Sequence, residues 1–223
     1  MNIIIKNLEY GINHKPVFFT SDWHLGHENC LKFDKRPFNN IDHMHEVLIK
    51  NYNSIVPDNG ICYFLGDMGN KTEDIRKVVS RLNGTKVLIW GNHDKGINTM
   101  YNCGFDVVLL SATILVHKTP VTLSHCPLNG IFREDTSNMK GHDPDNPEYW
   151  HGSSREKHQL CTVPNDGQFH LHGHIHSRPD KNVSVKILDK QYDVGVPANN
   201  YKPVSIYQIE SWIYKYKNNL EEE

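Results

Sequence analysis

The sequence predicts an α/β fold in which parallel strands alternate with helices. Three observations carry this expectation. Short apolar runs at residues 17–21, 61–65 and 87–90 read as buried strands, and amphipathic stretches lie between them. Each run ends in a cluster of Asp, Asn or His. Strand–helix alternation calls for parallel strands with right-handed crossovers, so all three clusters fall on one edge of the sheet. In open α/β sheets that edge is where ligands bind.

The first strand, Val17-Phe18-Phe19-Thr20-Ser21, is short and β-prone and delivers Asp22-Trp23-His24-Leu25-Gly26-His27. Residues 28–40 read as a polar loop containing Arg36-Pro37-Phe38. From residue 41 to 55, Ile41, Met44, Val47, Leu48, Tyr52 and Ile55 mark one face of a helix that Pro57 ends. The second strand delivers Gly66-Asp67. A second helix at 72–82 follows, with Ile75, Val78, Val79 and Leu82 on one face and Gly84 as its stop. The third strand delivers Gly91-Asn92-His93-Asp94. Alone, this tetrapeptide is also a good turn, because Gly and Asn tolerate left-handed backbone. Its meaning depends on partners elsewhere.

The second half has a different character. Residues 107–110, 113–117 and 121–124 read as successive strands, partly antiparallel, the last delivering His125-Cys126-Pro127. Residues 129–168 are rich in Gly, Pro, Asp, Asn and Ser, as in an insertion with a functional role or a mobile loop. Residues 169–171 lead into His172-Gly173-His174-Ile175-His176. Residues 183–188 and 191–196 look like a final strand pair. Ser205 and Gln208 have the spacing of a capping box. They open a C-terminal helix whose apolar side carries Ile206, Ile209, Trp212, Ile213 and Tyr216.

Composition narrows the function classes. A chain of 223 residues suits one domain with a sizeable core. The net charge of −2 lacks the basic excess of a protein that grips long nucleic acid. The five Cys are scattered with no C-x-x-C, which suits reduced thiols in a cytosol better than a disulfide framework. The start lacks the pattern of a signal peptide, and no apolar run approaches the ~18 residues of a membrane span. The expectation is a soluble, cytoplasmic protein without a membrane partner.

The strand-end residues form one set: Asp22, His24, Asp67, Asn92, His93, His125, His174 and His176. Alone, Asp22 with His24 reads as a strand-end turn and Asp67 as a cap, while His174 with His176 fits a ligand pair equally well. Five blocks, each after a strand, point jointly to a metal site. Oxygen and imidazole donors suit Mn, Fe, Zn, Ni or Co better than Ca or Mg, and the thiolates of structural zinc are missing. A His-x-His pair on extended chain turns both rings to one face.

Asp-x-His, Gly-Asp, Gly-Asn-His-Asp, a lone His and Gly-His-x-His, in this order, resemble the calcineurin-like metallophosphoesterase superfamily. The likeness runs from residue 18 to about 203, apart from 129–168. It implies an α/β fold, a calcineurin-like metallophosphoesterase β-sandwich of two mixed sheets flanked by helices. The length is read as a single domain over 1–223, and the stretch at 129–168, longer than this resemblance leads one to expect, as a lid-like insertion. The resemblance assigns Asp22, His24 and His176 to one divalent ion, Asn92, His125 and His174 to another, and Asp67 to both. Mn2+ is the expected metal, with Fe, Zn, Ni or Co as alternatives. Two cations ~3.5–4 Å apart polarise a phosphoryl oxygen and hold a bridging hydroxide for in-line attack. His93 has no ligand role in the pattern and is the expected general acid. Asp94 is expected to orient and charge its ring.

The second block lacks the Asp-Arg-Gly extension of protein phosphatases, and the third ends in Asp instead of Glu. Ser-Asp-x-His-x-Gly-His and Arg-Pro-Phe resemble small bacterial and phage phosphoesterases. A phage-encoded member would work in the host cytoplasm. His27, Asn29 and Arg36 are expected on the substrate side, Arg36 against a phosphate oxygen or, equally, as a solvated loop arginine. In the insertion, Arg133 and Arg155 join Tyr149 and Trp150, which could stack a base. A surface loop or a homo-oligomer contact fits that stretch equally well. The leading function is a binuclear-metal phosphodiesterase acting on nucleotides, cyclic nucleotides or short nucleic-acid ends. Alternatives are a phosphomonoesterase, a DNA exonuclease and a non-catalytic scaffold of the same fold.

Overall fold

The computed structural model describes residues 3–4, 15–128, 160–177 and 190–219. Two five-stranded sheets and five helices lie within them. In chain order these are β1 (Ile3–Ile4), β2 (Val17–Thr20), α1 (Asn29–Phe33), α2 (Ile41–Asn53), β3 (Ile61–Phe64), α3 (Thr72–Val79), β4 (Thr85–Ile89), α4 (Ile97–Asn102) and β5 (Val107–Leu109). There follow β6 (Ala112–Val116), β7 (Thr119–Leu123), β8 (Phe169–His172), β9 (Gln191–Asp193), β10 (Val204–Ser205) and α5 (Ile206–Lys217).

The first sheet has the order β10-β2-β3-β4-β5. β2 through β5 are parallel, and β10 closes the β2 edge antiparallel. The second sheet has the order β1-β6-β7-β8-β9. There β6 and β7 form an antiparallel pair, while β1, β8 and β9 join in parallel. Both sheets are mixed, as the family resemblance implies. The successive strands expected over 107–124 divide between the sheets, with β6 and β7 antiparallel, and β5 does not neighbour β6. It ends the first sheet beside β4, and the chain crosses at Ser111 into the second sheet.

Side-chain alternation along the strands builds two cores. Val17, Phe19, Tyr63, Leu65, Val87 and Ile89 turn one way, to Ile114, Val121, Leu123 and Leu171 of the second sheet and Ile209 and Ile213 of α5. Phe18, Cys62, Phe64 and Leu88 turn the other way, to Met44, Leu48 and Tyr52 of α2 and Ile75, Val78 and Val79 of α3. These strands are buried on both faces, which is why they read as unbroken apolar runs.

α1 lies where a polar loop was expected. It is one short turn with only Cys30 buried, so it has no amphipathic signature. The capping box of α5 is present in both directions, Ser205 to Gln208 and back. All five cysteines are buried free thiols. Among the described residues, no helix is long and apolar enough to cross a membrane. The proposed strand at 183–188 and most of the 129–168 stretch, with Arg133, Tyr149, Trp150 and Arg155, lie outside the described residues.

Candidate metal centre

The loops after β2 and β3 run on side by side beyond the strands. Asp22 N–H donates to the Gly66 carbonyl at 3.1 Å, His24 N–H to Asp67 at 3.0 Å and Leu25 N–H to Met68 at 2.8 Å. Between Asp22 and His24, Trp23 turns inward. It packs edge-on against Tyr52 and Phe64, and its indole N–H donates to Thr20 Oγ1 at 2.8 Å. This buried anchor leaves the residues on either side facing the opposite way, which gives Asp-x-His its spacing.

The backbone is left-handed at Asp22 (φ 60°), His24 (52°), Asp67 (55°), His174 (72°) and His176 (48°). Such a conformation costs a residue with a Cβ about 1–2 kcal/mol, and strain of this kind concentrates at functional sites. Gly91 has a different purpose from the turn flexibility expected of it. Its φ is not positive. A Cβ there would come within 2.5 Å of Asp67 N and Oδ1, so glycine admits the aspartate loop.

The loops bring the expected ligands together. The donor atoms of Asp22, His24 and His176 lie within 4.8 Å of one another, as do those of Asp22, Asp67 and His125. His24 Nε2 and His176 Nε2 are 3.0 Å apart. His125 Nε2 stands 2.9 Å from Asn92 Oδ1, 3.3 Å from Asp67 Oδ2 and 3.3 Å from His174 Nδ1. Asp67 Oδ2 also lies 3.7 Å from His24 Nε2. Asp67 therefore sits between the two groups. The Asp22 carboxylate accepts the His174 N–H at 3.1 Å, which ties the β8 loop to the β2 loop. Cys126 sulfur lies in reach of the His125 and His174 donors, a neighbour the sequence did not single out.

The electrostatics fit a cation. Burial disfavours the charged forms of Asp22 and Asp67. His176 nonetheless holds Asp22 down at about 2, and His125 and His24 hold Asp67 well below the usual carboxylate range. The same contacts act in reverse on the imidazoles. Burial opposes their protonation, but Asp22 and Asp34 lift His176 to about 9, and Asp67 lifts His125 well above its ordinary value. Burial dominates at His24 and pushes it down to about 3. Two buried carboxylates thus need positive charge beside them, and pairs of ring nitrogens face each other at 3.0 and 3.3 Å. A divalent ion satisfies both demands better than protons do. His125 is set up for this, because its Nδ1 donates to the Leu65 carbonyl at 2.7 Å and leaves Nε2 for the site.

His93 is exposed beside this cluster. Its backbone N–H donates to Asp67 Oδ1 at 2.9 Å, and its ring centroid is 5.7 Å from that of His24. Two side chains have partners other than those expected. The Asp94 carboxylate is not spent on the His93 ring. It accepts the N–H groups of Gly91 (2.8 Å), Met68 (2.8 Å) and Asp67 (3.1 Å), so it fastens the loop after β4 to the loop after β3. Burial and the charge of Asp67 raise it to about 7. Arg36, expected on the substrate side, is buried and donates to Asp34 and to the carbonyls of Asp22 and Trp23, because that chain segment folds back under the β2 loop. His27 is half-buried with its ring 5.7 Å from that of His24, and Asn29 is exposed at the start of α1.

Sequence reasoning missed Asp34. Its carboxylate lies 2.9 Å from His176 Nδ1, a partner 142 residues away. The nearest local sign was an acid two residues before an arginine.

The calcineurin-like phosphoesterase family profile matches residues 15–178. An uncharacterized protein of Methanocaldococcus jannaschii, MJ1445, is 32% identical over 207 residues, covering 91% of this chain and 94% of its own length. The Gene 66 protein of Mycobacterium phage L5 is 27% identical over 186 residues, covering 82% and 86%. A crystal structure of a protein of unknown function from Aquifex aeolicus, AQ665, superposes with a TM-score of 0.64 at 22% identity. It covers 89% of this chain and 100% of that one, and shows a shared fold.

Proposed function

The chain belongs to the calcineurin-like phosphoesterase family, metal-dependent hydrolases of phosphate esters, and from that premise we propose that it is a phosphodiesterase of nucleotide-like substrates. The observation that carries this reading is the cluster itself. Asp22 and Asp67 lie buried among the donors of His24, Asn92, His125, His174 and His176, with the exposed His93 alongside. We assign Asp22, His24 and His176 to one divalent ion and Asn92, His125 and His174 to a second, with Asp67 shared between them. Mn2+ suits this mixed oxygen and nitrogen set.

When bound, the ions supply Lewis-acid polarisation of a phosphoryl oxygen and a water nucleophile at neutral pH. The protein's own part is positional. Asp94 and the loop ladder hold Asp67 and Asn92 in register. His93 stands on the solvent side, where it can give a proton to the departing oxygen. Arg36, expected against a phosphate oxygen, is buried and bound to Asp34 and takes no part in this assignment.

The test is a Mn2+-supplemented substrate screen over cyclic nucleotides, 2′,3′-cyclic phosphates, dinucleotides and phosphomonoesters, with metal analysis. Bis-p-nitrophenyl phosphate serves as the common reference. Wild type should bind metal and turn this diester over. Asp67→Asn should lose metal and activity. His93→Ala should keep its metal and lose about 10²–10⁴-fold in kcat, the usual worth of a positioned acid. A wild type without metal or turnover would overturn the enzyme reading.

A further inference from the structure

We propose that Asp34, anchored by Arg36, is the positioning residue that fixes His176, and with it one half of the metal centre. The proposal rests on the metal-centre reading above and deepens it. Asp34 follows α1 and is 5% exposed. Both of its carboxylate oxygens lie 2.9 Å from His176 Nδ1. That ring's Nε2 is 3.0 Å from His24 Nε2 and 3.4 Å from Asp22 Oδ1. Accepting the Nδ1–H fixes the tautomer and turns Nε2, with its lone pair, toward the ligand cluster. A carboxylate acceptor also makes that nitrogen a better donor to a cation.

Arg36 holds Asp34 in place. Its Nε and one terminal nitrogen donate to Asp34 Oδ2 at 3.1 and 3.0 Å. The same guanidinium donates to the carbonyl of Asp22 at 2.8 Å and of Trp23 at 3.0 Å. One buried arginine therefore binds the Asp-x-His loop directly and reaches His176 through Asp34. The planar fork suits this task, and a lysine ammonium could not make the same set of bonds. The other half of the cluster is built differently. His125 donates its Nδ1–H to the neutral Leu65 carbonyl, and among the described residues no carboxylate is bonded to that nitrogen. Loss of Asp34 should thus fall on the Asp22–His24–His176 half alone.

The experiment is a Mn2+ titration of metal-free wild type, Asp34→Asn and Arg36→Lys, followed by calorimetry and by the electron paramagnetic resonance signal of paired Mn2+. Thermal unfolding of the metal-free proteins is recorded alongside. Asp34→Asn should weaken one of the two Mn2+ equivalents about 10–100-fold, the usual effect of removing such a partner. The other equivalent should hold and the paired signal should fade. Arg36→Lys should shift the same equivalent. If Arg36 instead served substrate, Arg36→Lys would raise KM and leave both Mn2+ equivalents intact, and that result would overturn the proposal. So would two unchanged equivalents in Asp34→Asn. Wild type that binds no Mn2+ would instead sink the metal-centre reading itself. Should Asp34→Asn fail to fold, wild type loaded with diamagnetic Zn2+ decides. The His176 Nδ1 proton should then appear as a protected, downfield imidazole resonance, and a rapidly exchanging proton there would refute the hydrogen bond.

Discussion

At the scale of single residues, close approach governs the site as much as the donors do. Gly173 precedes His174, and a Cβ there would overlap Ser21 Oγ and Asp22 Oδ2. Asp22 Oδ2 accepts the His174 N–H that joins the β8 loop to the β2 loop, and Ser21 Oγ donates to the Leu65 carbonyl after β3. Gly173→Ala should therefore push Asp22 off its place, cost about 1–3 kcal/mol as overpacking does, and lower Mn2+ affinity together with the melting temperature. A normal Mn2+ titration in that variant would show that the loops can separate without harm to the site. The same scale separates what was legible in the sequence from what was not. Asp22, His24, Asp67, Asn92, His125, His174 and His176 announce themselves as short polar blocks after strands. The commitments of Asp94 and Arg36 do not, because each is set by backbone groups that only the fold brings near.

At the scale of elements, sequence pattern worked where one period ran for several turns or a whole strand. α2 and α3 each bury one stripe and were legible from it. α1, α4, β1 and β10 are two to six residues long, too short for a period to emerge from local composition. The partner sheet of β5 was also hidden, since a three-residue strand has the same pattern in either sheet. α5 carries an explicit start signal, the Ser205–Gln208 capping box, and packs Ile209 and Ile213 into the inter-sheet core. Ser205→Ala should cost about 1 kcal/mol, which for a chain of this size lowers the melting temperature by about 2–4 °C. Activity at 25 °C should be unaffected, as α5 contributes no donor to the cluster. A thermal scan with a diesterase assay checks both points.

At the scale of the whole molecule, the cluster draws on loops after β2, β3, β4, β7 and β8, and so on both sheets. An ion held there links segments more than 150 residues apart, as His24 and His176 show. Stability should follow metal occupancy. Chelation should lower the melting temperature, and Mn2+ at about 100 times its dissociation constant should add about 2.7 kcal/mol. Differential scanning calorimetry across a Mn2+ series reads this directly, and a flat series would mean that the ion binds folded and unfolded chain alike. The left-handed backbone at Asp22, His24, Asp67, His174 and His176 has a consequence for the protein's history and for anyone engineering it. Glycine or asparagine would sit more comfortably at each of these positions. A library selected for heat resistance alone will drift toward such replacements and grow hardier as it forgets its chemistry. Only selection for turnover keeps the uncomfortable residues in place.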